Sequence, residues 1–122
     1  MKVLLRLSVV CCTLTVIGLM LAGCGSKSAQ SVATERSKVF QSAPAEVKTD
    51  WDAAMSAVKT SDYATAVLTL RKLAMQTNLT QEQIDAVSKT SVAVSDQMYA
   101  AANKGDPKAE EALQTLRKAM GR

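Results

Sequence analysis

From Pro44 onward, bulky apolar residues return every three or four positions, and glycine and proline fall only between those runs. That spacing winds one apolar stripe along a helix and commits the region to an all-α fold. The first predicted helix, about Ala45 to Thr60, carries Val47, Trp51, Ala54, Met55 and Val58 on one face. Ser61 and Asp62 offer side-chain oxygens to cap a second helix close behind, so the two neighbours are expected to be antiparallel. The second helix, about Tyr63 to Thr77, places Tyr63, Ala66, Val67, Leu70, Leu73 and Ala74 inward, with Leu68 and Met75 widening the stripe.

Thr80-Gln81-Glu82-Gln83 has the form of a capping box and opens a third, longest helix to about Lys104. The cap is also the sounder reading of Asn78-Leu79-Thr80, which matches a glycosylation sequon. Its expected inner face is Ile84, Val87, Val94, Met98, Tyr99 and Ala102, with Ser88, Ser91 and Ser95 as small residues that admit a close neighbour. Gly105 then suits a left-handed terminus, Asp106 a cap, and Pro107 the first helical position, where a missing amide donor costs nothing. Ala109, Ala112, Leu113, Leu116 and Met120 complete a fourth stripe. The expected body, residues 44–122, is thus two antiparallel helical hairpins of about four helices, either a small bundle or a repeat-like pair.

Ahead of that body, residues 24–43 are rich in Ser, Ala, Gln and Lys and read as a flexible linker. About 20 such residues span a root-mean-square distance near 25 Å. Val32 to Phe40 also has the content for a helical turn or two docked on the body, which would shorten the tether. Residues 1–23 have the three zones of a secretory signal: Lys2 and Arg6, an uncharged apolar run from Leu7 to Met20, then Ala22 and Gly23. The run is shorter than the roughly 20 residues that a membrane-crossing helix needs.

Two stretches resemble known families. Leu21-Ala22-Gly23-Cys24 resembles the lipobox of bacterial lipoproteins at all four positions. The resemblance implies cleavage between Gly23 and Cys24, a diacylglyceryl thioether on Cys24 and a further acyl chain such as palmitate on the new amino terminus. Several chains together anchor stably where one alone is marginal. Gly25 rather than Asp after the lipidated Cys is similar to lipoproteins forwarded to an outer membrane, on its periplasmic side. Asp62-Tyr63-Ala64-Thr65-Ala66, followed by Leu70, resembles the second helix of a tetratricopeptide repeat (TPR). Trp51 stands one position off that family's pattern, and Ala54 replaces its usual Gly. Thr69-Leu70-Arg71-Lys72 recurs as Thr115-Leu116-Arg117-Lys118, 46 residues later, beyond the roughly 34-residue period of that family.

Little in the chain points to chemistry. There is no histidine, the commonest general base and metal ligand. Cys11 and Cys12 leave with the leader and Cys24 is used by lipid, so no thiol remains for a disulfide, a metal or catalysis. Asp50 with Asp52, and Glu110 with Glu111, are too close in sequence to face each other on a helix. Removing Lys2 and Arg6 from the 15 basic residues leaves 13 against 11 acidic ones, a net charge of +2 with the signs interspersed. Nucleic acid is therefore not an expected partner. Trp51 and Tyr63 are expected to pack in the core across the hairpin rather than to stack on a ligand.

The functional expectation is a lipid-anchored envelope protein, not an enzyme, with no cofactor and no metal. Its helical body would bind another envelope protein or a second copy of itself. The alternative is a carrier of lipid or another small molecule, with Met55, Met75, Met98 and Met120 lining an apolar cavity.

Overall fold

The computed structural model describes residues 27–121, so the leader and the predicted cleavage and lipid site at Gly23 and Cys24 lie outside the described residues. The described chain is all-α: α1 Ala29–Arg36, a 3₁₀ turn Ser37–Phe40, α2 Ala45–Lys59, α3 Tyr63–Ala74, α4 Gln81–Asn103 and α5 Pro107–Ala119. Helices α2 to α5 are the four that the apolar spacing predicts. Each of the two hairpins, α2–α3 and α4–α5, closes on a joint built to one plan.

In the first joint, Ser61 N–H donates to the Val58 carbonyl at 3.3 Å and Asp62 N–H to the Ala57 carbonyl at 2.9 Å. In the second, Gly105 N–H reaches Ala102 at 2.9 Å and Asp106 N–H reaches Ala101 at 3.1 Å. Both are Schellman endings, which satisfy the last carbonyls of a helix through a left-handed residue. Gly105 holds that conformation at φ 81° and Ser61 at φ 57°. Asp62 and Asp106 then cap the next helix by accepting from Thr65 N–H and Lys108 N–H. Ser61 therefore supplies the turn, and of the expected pair only Asp62 supplies the cap.

Helix α2 packs most extensively on α3, and α4 lies against α3, α5 and α1. The core joins Val47, Trp51, Ala54, Leu70 and Leu73 to Val87, Val94, Met98 and Leu116. Helix α1 lies on the flank formed by α2 and α4, whereas α5 lies on the flank formed by α3 and α4.

Three sequence expectations are corrected. The stretch expected as flexible linker, 24–43, is helical from Ala29 and part of the core. Ala29, Ala33 and Phe40 are buried, and Phe40 stacks on Trp51 with ring centroids 4.0 Å apart and planes 13° from parallel. The docked-turn reading of Val32 to Phe40 describes this segment better than the linker reading. Trp51 and Tyr63 are both buried as expected, but the ring stacked on Trp51 is Phe40.

The third correction concerns which face of α4 turns inward. Ile84 and Tyr99 are exposed, while Gln83, Ala86 and Thr90 are buried beside Val87, Val94 and Met98. One residue along a helix is about 100° around it, so Gln83 inside leaves Ile84 at the surface. Gln83 can be buried because its amide is satisfied on both sides: Oε1 accepts from Thr80 N–H at 2.9 Å, and Nε2 donates to the Val39 carbonyl at 3.0 Å. Ala74, Leu68, Met75 and Met120 likewise lie at the surface.

Candidate functional surfaces

The α1 flank is assembled largely from polar fastenings. Ser28 caps the helix by accepting from Ser31 N–H. Ala29 N–H donates to Gln97 Oε1 at 3.0 Å, which fixes the start of α1 beside the C-terminal half of α4. At the other end, Arg36 Nη1 lies 3.0 Å from Asp85, which also pairs with Lys89 at 3.0 Å. Trp51 Nε1–H donates to Ser37 Oγ at 3.1 Å, so the indole is held by both a ring and a hydroxyl. At the surface Lys27 bonds Glu35 at 3.0 Å, and this hydrogen bond, then the charge of Lys27, holds the Glu35 carboxyl below the usual carboxylate range.

Between α1 and α4 lies an open cleft of about 450 Å³ lined by Lys27, Ser28, Val32, Val92, Asp96 and neighbouring residues. Val92 is 59% exposed and Tyr99, two turns further along the same side of α4, is 55% exposed. On the opposite flank, Leu68 of α3 and Met75 just past its end border a surface depression of about 300 Å³ with Ala119 of α5. Met75 is 68% exposed and Met120 is 47% exposed.

The close carboxylate pairs do not converge on a site, as their spacing implies. Asp50 faces α3, where it accepts from Lys72 Nζ and from Gln76 Nε2, a bond that raises the Lys72 ammonium above its ordinary range. Asp52 is exposed and borders a separate cleft between α1 and α2. Glu110 and Glu111 are exposed on α5. Among the described residues no three His, Cys, Asp or Glu side chains cluster as metal ligands. Of the four methionines considered as a cavity lining, Met55 and Met98 are in the core and Met75 and Met120 face solvent. Sequence reasoning missed Gln83 and Thr90 as core residues, and it reached Phe40 only through the docked-turn reading of Val32 to Phe40, whose bulky apolar residues stand out in a polar stretch. Thr90 is fully buried, and its Oγ1 has no hydrogen-bond partner among the described residues.

The chain matches no protein-family model, no curated protein and no solved structure.

Proposed function

We propose that this protein is a lipid-anchored component of a bacterial envelope, held through Cys24 and presenting a small helical interaction module outside the cytoplasm. The observation that carries this reading is Leu21-Ala22-Gly23-Cys24 directly behind a charged and then apolar leader. Gly25 favours the periplasmic side of the outer membrane as its site. The α2–α3 hairpin is the TPR-like part, and α4–α5 is a diverged second hairpin with the same joint. Helical hairpin stacks recognise proteins through exposed faces. The apolar side chains of Leu68, Met75 and Met120, at the surface on or beside α3 and α5, suit such a contact with an envelope protein or with a second copy. The carrier reading has no comparable support, because Met75 and Met120 point away from the interior.

Intact mass measurement of the membrane-extracted protein tests the anchor. Loss of residues 1–23 together with added diacylglyceryl and acyl mass on Cys24 is expected, with processing abolished in Cys24→Ser. An unmodified Cys24 in mature protein overturns the reading. Crosslinking in intact cells from Met75→Cys then identifies what the α3–α5 flank meets.

A further inference from the structure

The docking of α1 limits how far the body can stand from its anchor. Lys27 is three residues after Cys24, and an extended chain covers at most about 3.6 Å per residue, so these two positions lie within about 11 Å whatever path the chain takes. The headgroup layer of one leaflet alone takes up about 5–7 Å of that distance. From Lys27 the chain passes directly into α1, whose first amide is bonded to Gln97 and whose Ala29 and Ala33 are buried. Lys27, the point from which that distance is measured, lies at the α1–α4 cleft.

Resting on the lipid anchor proposed above, we infer that the α1–α4 flank around Lys27, Val92 and Tyr99 is the membrane-contacting face of the protein, seated on lipid headgroups. The surface there has the chemistry for that layer. Val92 is an apolar contact, Tyr99 carries a ring with a polar tip, and Lys27 and Lys89 carry ammonium groups on long apolar stems. The nearby charges are balanced, with Lys27, Arg36 and Lys89 against Glu35, Asp85 and Asp96. The short leash, not attraction to anionic lipid, sets the orientation, and the α3–α5 flank with Met75 is left facing away from the bilayer.

The mature chain has no cysteine beyond the acylated Cys24, so single labelling sites are readily introduced. Val92→Cys, Tyr99→Cys, Leu68→Cys and Met75→Cys, all at exposed positions, would be labelled with a fluorophore on the lipidated mature protein, residues 24–122, in phosphatidylcholine vesicles. Lipids spin-labelled on the headgroup should quench positions 92 and 99 several-fold more than 68 and 75, with no added anionic lipid required. Equal quenching at all four positions, or stronger quenching at 75, overturns the inference. Flotation with the vesicles separates the two failures. Protein that floats with uniform quenching refutes the orientation alone, whereas lipid-extracted protein that does not float refutes the anchor and the orientation together.

Discussion

Two short helices, α1 and α5, pack against opposite flanks of α4 by different means. Helix α5 presents a regular apolar stripe of Ala109, Ala112 and Leu116, and its docking is hydrophobic burial. Helix α1 buries only Ala29 and Ala33 of its own length. It is held instead by the bonds to Gln97 and Asp85 and by the residues that follow it, above all Phe40 on Trp51. The contrast teaches that a helix without an amphipathic stripe can still belong to the fold when its ends are fastened and the next turn supplies one large ring. The weakly amphipathic helix is also the one nearest in sequence to Cys24, the position proposed to carry lipid.

The largest expected effects test whether the first flank is structural at all. Phe40→Ala should destabilise the protein by about 3–5 kcal/mol, comparable with about 2–5 kcal/mol for Leu116→Ala on the other flank. Urea unfolding followed by circular dichroism measures both. A Phe40→Ala variant as stable as the parent would return this segment to the status of a linker.

Gln83→Ala comes next, at about 2 kcal/mol, since it removes half of a capping box and leaves the Val39 carbonyl without its amide. The loss should appear as faster amide hydrogen exchange in both α1 and the first turn of α4. Exchange confined to α4 would mean that the Val39 bond contributes nothing to holding the α1 flank.

At the α4–α5 joint, Gly105→Ala is expected to cost about 1–2 kcal/mol, the ordinary cost of a left-handed backbone for a residue with a side chain. A Cβ there meets no atom within 4 Å, so the cost is purely conformational. Thermal unfolding should show a fall of several degrees, while Ser61→Gly at the matching joint should raise the midpoint.

Smaller still is Arg36→Ala, about 0.2–1 kcal/mol, because both partners of its ion pair are partly exposed. Its cost should shrink at 1 M salt, where the screening length is about 3 Å. A salt-independent cost would point to lost packing of the arginine stem.

The smallest effect is electrostatic and local. The Glu35 carboxyl titrates below its ordinary value in the folded protein because of Lys27. The pair therefore favours the folded α1 flank at pH values above the ordinary carboxylate range. That contribution is lost as the pH falls through the lowered folded value. An NMR titration of Glu35 should shift upward in Lys27→Ala, and an unchanged midpoint would show that the exposed pair is not formed.

The four main helices were legible because each buries a stripe of its own. Val47, Trp51, Ala54, Met55 and Val58 are all inside, as their spacing requires. The joints were legible too, since Gly105, Asp106 and Pro107 each satisfy a backbone demand independent of the rest of the chain. The inner face of α4 was not. Hydropathy favours Ile84 and Tyr99 over Gln83 and Thr90, yet a glutamine satisfied by two backbone partners is cheap to bury, and one of those partners, the Val39 carbonyl, comes from a distant part of the sequence.

The candidate membrane face divides in the same way. The proposed lipid-bearing position rests on a local pattern of four residues and can be read without a fold. Its distance from the body is not local, because it depends on where α1 begins and on which helix receives its first amide.

Periodicity, caps and turn residues alone determined the helical class, the starts of the four main helices and the hairpin joints, for these arise from interactions within a few residues along the chain. The rotation of α4, the partner of Trp51 and the flank on which α1 docks were decided only by the tertiary structure. Each depends on hydrogen bonds and ring contacts between segments 11 to 68 residues apart, which no local pattern encodes.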